Sequence, residues 1–167
     1  MENEPLIETT HYTSPYGVFV ITGSENGIRS VQLQPGAKDP RTPAPPVLAE
    51  CVRQLNEYFC GQREEFKLKL DLSEGSEFFQ KVWRELLQVK YGHTISYLKI
   101  AEKLGDKNAV RAVGMANKRN PIAIIIPCHR CIAKSGNLQG YFYGLDMKRK
   151  LLQAENPLSF AEQGRLF

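Results

Sequence analysis

The hydrophobic pattern of this 167-residue chain changes period at Ser73-Glu74-Gly75-Ser76. Upstream, apolar residues alternate or come in short runs between turn residues; downstream, they recur at helical spacing. The two patterns call for different layer architectures, so two domains are expected, 1–73 and 74–167. In the first, Ser14-Pro15-Tyr16-Gly17 and Ser24-Glu25-Asn26-Gly27 are turn signals. Val18 to Ile21 and Ile28 to Leu33 are the strands they join. Five prolines between Pro35 and Pro46 bar a helix there. From Val47 to Phe59, Leu48, Cys51, Val52, Leu55 and Phe59 share one side of a helix. Phe66, Leu68, Leu70 and Leu72 alternate with charged residues, the mark of a half-exposed strand. This small α/β unit carries no chemical motif.

The second part reads as helices. Phe78, Phe79, Val82, Trp83, Leu86 and Leu87 form a wide apolar stripe, with Gly92 as its end. Ser96 can cap a short helix that runs to Gly105, and Asp106 can cap another from Lys107 to Asn117. Two short helices about a glycine turn are a helix-turn-helix candidate, although an ordinary helical hairpin has the same pattern. At about 100° per residue, Ala109, Ala112, Val113 and Ala116 fall on the core side and Arg111, Gly114, Met115 and Lys118 opposite. That outer side permits approach to a phosphate backbone. Lys99, Lys103, Lys107 and Arg119 add positive charge nearby.

Chemistry is expected at Ile122-Ala123-Ile124-Ile125-Ile126-Pro127-Cys128-His129-Arg130-Cys131. The isoleucines suit a buried strand, and Pro127 ends it. A thiol with an imidazole beside it is a candidate nucleophile, expected to titrate below its free value of about 8.5. A core cysteine or half of a zinc site are the competing readings. His11 and His93 stand alone, and no second pair has ligand spacing, so neither metal nor cofactor is expected. Downstream, Ser135 to Gly144 carries three glycines and three aromatics, a plausible wall for a flat ligand. A last helix, Leu145 to Glu155, sets Glu155 over Leu151 and Leu152. A carboxylate there needs a donor, and His129 is the expected one. From Pro157 onward a loop is expected.

Composition sets the class. Hydrophobic residues at 42% and charged residues at 24% fit a globular protein, and no apolar run approaches the roughly 20 residues of a membrane span. The polar start, Met1-Glu2-Asn3-Glu4-Pro5, lacks a secretory pattern, so the four cysteines are expected in a reducing compartment. A net charge of +4 permits a polyanionic partner without requiring one.

Pro127-Cys128-His129-Arg130 resembles the active site of the O6-alkylguanine-DNA alkyltransferases, also called methylated-DNA–protein-cysteine methyltransferases. Phe78-x-x-x-Val82-Trp83-x-x-Leu86, Thr94-Ile95-Ser96-Tyr97, Arg111-Ala112-Val113-Gly114-x-Ala116, Asn120-Pro121, Gly136 to Gly144 and Leu151-Leu152-x-x-Glu155 follow in family order. The resemblance is strong over 74–156 and weak over 12–72. It implies a small ribonuclease-H-like α/β domain, then a mostly helical, winged-helix-like catalytic domain whose helix-turn-helix enters the minor groove of double-stranded DNA. It implies base flipping and one irreversible transfer of the alkyl group from O6-alkylguanine, and from O4-alkylthymine, to Cys128. His129 would be the base, through a water, and Glu155 would orient it. Arg111 would fill the gap left by the flipped base, with Tyr97, Ala112 and Lys118 also at the DNA. Tyr97 would assist flipping or leaving-group protonation. Tyr141, Tyr143, Asn120 and Ser96 would form the substrate pocket, Asn120 as the hinge before the nucleophile. A monomer without a membrane anchor is implied, cytoplasmic in a bacterium or nuclear in a eukaryote.

Two features depart from the family pattern. Phe142 and Tyr143 stand where smaller residues are common, and the first domain lacks the Cys/His set with which some members hold zinc. A related group without transfer activity has Trp in place of the cysteine, and Cys128 argues against it. A DNA-binding module with a structural Cys128, and a cysteine hydrolase with a Cys-His-Glu triad, are the alternative functions.

Overall fold

The computed structural model describes residues 3–158, and the chain divides into two compact units. The first holds the residues up to Glu74 together with Pro121–Ala123; the second holds Gly75–Asn120 and the chain from Ile124 onward. Of the loop expected from Pro157 onward, a turn at 157–158 is described, and the rest lies outside the described residues.

In the first unit, β1 (Glu8–Ser14), β2 (Gly17–Ser24) and β3 (Gly27–Leu33) form an antiparallel meander in the order β1-β2-β3. The hairpins close at Ser14↔Gly17 and Ser24↔Gly27. Gly27 is required where it stands: its φ is +126°, and a Cβ would lie 2.8 Å from the Lys69 carbonyl oxygen. Helix α1 (Pro46–Phe59) begins at a proline and covers the sheet. Phe19, Ile21, Val31, Leu48, Cys51 and Leu55 make the buried core.

The alternating stretch from Phe66 to Leu72 is not a strand. It makes one parallel bridge, Ile28↔Leu70, with Ile28 N–H donating to Lys69 O at 2.9 Å and Asp71 N–H to Ile28 O at 2.8 Å. The Gln54 side chain takes the place of a ladder at Lys67, donating to its carbonyl at 3.1 Å and accepting from its N–H at 2.9 Å. The isoleucine run at 122–126 is not a strand either. Val31 brackets Ile122 through one parallel bridge, and the chain then turns. All five residues are buried, so burial rather than strand pairing accounts for the apolar run. Both bridges fall on β3 and partly cover an edge that would otherwise expose unpaired groups.

The second unit contains α2 (Glu77–Leu87), α3 (Tyr97–Lys103), α4 (Val110–Lys118) and α5 (Leu145–Glu155). Ser76 accepts from Phe79 N–H and Ser96 from Lys99 N–H, each satisfying an end donor of its helix. Helix α2 stops at Leu87, and Gly92 instead carries a left-handed turn further on, at φ +77°. Trp83 Nε1–H donates to Ala116 O at 2.8 Å and ties α2 to α4 through a core of Val82, Leu86, Ile100, Val113 and Ala116.

Asp106 caps a 3-10 turn at Lys107–Ala109, and α4 follows directly. Val113, Ala116 and Asn117 form the buried stripe of α4, and Ala112, about 100° from Val113 around the helix, is exposed. Ala109 lies in the 3-10 turn and not in α4, so it does not mark the core side of that helix. Arg111, Met115 and Lys118 are exposed, and Gly114 is half-buried.

Candidate active site

The nucleophile candidate sits in a tight sequence of turns. Cys128 N–H donates to Ile126 O at 2.7 Å across Pro127, whose φ of −80° and ψ of 63° are those of an inverse γ-turn. A single 3-10 turn, Cys128–Arg130, follows, closed by Cys131 N–H to Cys128 O at 3.2 Å. Ile95 then holds the chain from both sides, donating to Arg130 O at 3.0 Å and accepting from Ile132 N–H at 2.9 Å. Asn120, just beyond α4, donates its amide to Ile126 O at 2.8 Å and so fixes the turn that presents the thiol. Ile124 lies in this connection at φ +72°, a strained position for a buried β-branched residue, worth about 1–3 kcal/mol.

Cys128 opens into a cavity of about 550 Å³ walled by Tyr97, Tyr141, Phe142 and Tyr143, with Asn117, Asn120 and Lys118 among the polar lining. Tyr143 meets Tyr141 and Phe142 edge to face, with centroids 5.7 and 5.0 Å apart. Flat walls with a few polar groups suit a planar heteroaromatic ligand.

Behind the thiol lies a buried charged cluster. His129 Nε2 is 2.7 Å from Glu155 Oε2. Arg130 forks onto the same carboxylate, Nε to Oε1 at 2.7 Å and Nη2 to Oε2 at 3.1 Å, and donates Nη1 to Val89 O at 2.7 Å. Burial opposes the Glu155 charge, but the His129 and Arg130 contacts outweigh it and hold the carboxyl well below the usual range. Burial pushes the His129 pKa down, aided by Arg130 and Lys148 and opposed by Glu155, so the imidazole is neutral. The carboxylate accepts a hydrogen bond from Nε2–H, which leaves Nδ1 as the basic nitrogen. Nδ1 is buried without a protein hydrogen-bond partner.

The Cys128 thiol does not titrate low, as its histidine neighbour suggested. Burial pushes it up, and the Asn120 hydrogen bond and the Lys148 charge offset that only in part. The nearby imidazole is neutral and contributes no cationic help.

Lys148 was not legible as a site residue. It is 0% exposed, and its ammonium donates to the carbonyls of Cys131, Leu138 and Gly140, the last at 3.1 Å. Burial lowers its pKa to about 8. These carbonyls fix the aromatic loop against the segment after the thiol. The available signal was a lysine on the apolar stripe of α5, three and four residues before Leu151 and Leu152. Lys148→Met is expected to slow reaction of the Cys128 thiol with a small alkylating reagent about tenfold at neutral pH if the thiol pKa rises by one unit. The pH–rate profile would shift upward with it; an unchanged midpoint would leave Lys148 a purely structural clamp.

A thiol, a neutral imidazole with a carboxylate behind it and a ring-lined cavity thus converge beside the exposed side of α4. The model of the 6-O-methylguanine DNA methyltransferase DNA binding domain matches residues 77–157, and that of the ribonuclease-like domain of the same family matches residues 7–72. The chain belongs to the 6-O-methylguanine DNA methyltransferase family. It is 44% identical over 154 residues to a methylated-DNA–protein-cysteine methyltransferase of Mycobacterium leprae, covering 90% of this chain and 93% of that one. It is 45% identical over 147 residues to the protein of that name in Methanosarcina barkeri, covering 85% and 92%. Mycobacterium tuberculosis OGT, crystallised in complex with DNA, superposes with a TM-score of 0.80 at 42% identity, over 89% of this chain and 92% of that one.

Within this methyltransferase frame, Tyr97, Asn120, Tyr141, Tyr143 and Lys118 line the cavity with Cys128. Tyr97 Oη accepts from Asn117 Nδ2 at 3.4 Å, and burial together with the neighbouring thiols raises its pKa to about 12. Arg111 and Ala112 lie on the exposed surface of α4, outside the cavity wall. Ser96, expected in the pocket, is instead spent on capping α3 and is not part of that wall. Phe142, Asn117, Gly114 and Gly140 complete the wall. Among the described residues, no helix is long and apolar enough to cross a membrane, and no three His, Cys, Asp or Glu side chains are grouped to hold a metal ion.

Proposed function

We infer that this chain repairs O6-alkylguanine in DNA by direct reversal, with Cys128 as the acceptor of the alkyl group. The carrying observation is the thiol at the floor of an aromatic cavity with the His129–Glu155 pair behind it. Neutral His129 receives the thiol proton through a water at Nδ1. Sγ attacks the alkyl carbon, the carbon–O6 bond breaks, and guanine leaves carrying the electron pair. Tyr97, a phenol throughout the neutral range, passes that leaving group a proton and regains one from the His129 imidazolium through water. Among the described residues that line the cavity, none returns a thioether sulfur to a thiol, so each chain acts once. Mixing the protein with excess methylated duplex should yield one repaired base per chain and then stop. Continued turnover would indicate a hydrolase, and binding without product a DNA-binding module.

The exposed side of α4 enters the minor groove, and a monomer suffices because one chain supplies the whole cavity. Flipping a base costs a few kcal/mol and is cheapest where damage has already weakened pairing. Arg111 replaces the flipped base in the stack. Arg111→Ala should therefore slow repair of duplex DNA far more than reaction with free O6-benzylguanine. Equal losses on both substrates would reduce Arg111 to a general electrostatic contact. Affinity for undamaged duplex should fall linearly with log salt, as expected for phosphate contacts.

A further inference from the structure

One thiol of this site is unused by the reaction. Cys131 is 0% exposed, free, and one 3-10 turn beyond Cys128. We propose that Cys128 and Cys131 form a reversible disulfide that shelters the nucleophile from irreversible oxidation by peroxides. The protective value rests on Cys128 being the alkyl acceptor; the bond itself rests on geometry.

The hydrogen bond from Cys131 N–H to Cys128 O, at 3.2 Å, closes the turn. Such a closed four-residue turn brings its end Cα atoms within about 7 Å, and disulfides span roughly 4.4–6.8 Å. Side chains at i and i+3 of a 3-10 turn lie near one another, and Cys131, the extended residue that ends the turn, stands at that spacing from Cys128. Both thiols act on the ionisation of Tyr97 and Lys148, and Cys128 also acts on that of Cys131. The Cys131 backbone is held at its N–H by Cys128 and at its carbonyl by Lys148, so bond formation asks for side-chain rotation within a fixed frame.

Access divides the roles. Cys128 reaches the open cavity and meets a small oxidant first, whereas enclosed Cys131 does not. The Cys128 sulfur attacks the peroxide O–O bond, giving a sulfenic acid and releasing water. The Cys131 sulfur then attacks the Cys128 sulfur and expels hydroxide, which takes the Cys131 proton and leaves as water. Two thiols have lost two electrons, hydrogen peroxide has gained them, and two waters have formed. A dithiol reductant reverses the bond, whereas a sulfenic acid without a resolving thiol proceeds to sulfinic and sulfonic acids. Cys51 is buried in the first unit and Cys60 is exposed, so both serve as internal controls.

The test treats the full chain with equimolar hydrogen peroxide and reads both peptide mass and alkyl acceptance. Wild type should lose two hydrogen masses in the peptide holding Cys128 and Cys131, lose acceptance, and regain most of it with dithiothreitol. Cys131→Val, which keeps an apolar side chain in that space, should accept alkyl groups when reduced. After peroxide it should gain oxygen at Cys128 and stay inactive in dithiothreitol. Oxygen gained at Cys128 of wild type without the disulfide, or equal recovery of the two proteins, overturns the proposal. Should Cys131→Val fail to fold, the wild-type peptide map decides alone. If reduced wild type accepts no alkyl group at all, the repair reading falls while the map still decides the disulfide.

Discussion

Cys128→Ser is expected to bind alkylated duplex and yield no repaired base above background. The substitution changes one atom at a site that is 5% exposed, and serine fits the same γ-turn. The hydroxyl, however, is far harder to ionise than a thiol and a poorer nucleophile toward saturated carbon. Burial already pushes the Cys128 thiol up, so a hydroxyl there has no route to its anion. Arg111 and Lys118 stay exposed on α4, and DNA affinity should change little. A gel-shift titration beside a repair assay separates the two effects. Residual transfer by the serine variant would move the chemistry to another residue.

Glu155→Gln should both slow transfer and destabilise the second unit. The carboxylate receives the His129 contact and both arms of the Arg130 fork. Glutamine keeps the size but removes the charge, leaving a buried guanidinium without its counterion. Breaking such a pair costs about 3–5 kcal/mol, an upper bound here because the amide oxygen still accepts one bond. The amide can also donate to Nε2, which flips the imidazole tautomer and puts the proton on Nδ1, the nitrogen proposed as base. Transfer should fall by about 100-fold, the lower range of what a positioned base contributes. Acid stability supplies an independent readout. The native carboxyl pKa lies below its unfolded value of about 4.3, so its contribution is complete above that pH and is lost as the pH falls toward the native value. Denaturant melts from pH 7 to pH 3 should show a steep loss in wild type that Glu155→Gln lacks. Coincident curves would make Glu155 a passive anchor.

Local chemistry made much of this site legible. Ser96 and Asp106 announce helix starts because a short polar side chain can satisfy an end N–H wherever it falls. Glu155 could be matched to a donor because it shares the apolar stripe of α5 with Leu151 and Leu152. Features set by long-range pairing were not legible. Nothing in Phe66–Leu72 reveals that Gln54 satisfies its backbone, and nothing in Ile122–Ile126 reveals that Val31 offers a single bridge. Ala109 drew the expected core side of α4 toward Ala112, because the apolar pattern does not distinguish a 3-10 turn from α. Arg130 and Lys148 escaped because each answers acceptors from distant segments, Val89 and Glu155 for one, Leu138, Gly140 and Cys131 for the other.

The central claim is that one sulfur, that of Cys128, receives the alkyl group. Its most direct test is the peptide mass map of wild-type protein after reaction with an equimolar duplex carrying O6-methylguanine. One added methyl per chain, confined to the peptide containing Cys128 and localised to that residue by fragmentation, is the predicted result. A methyl on Cys51, Cys60 or Cys131, or an unmodified chain beside a repaired base, would contradict it.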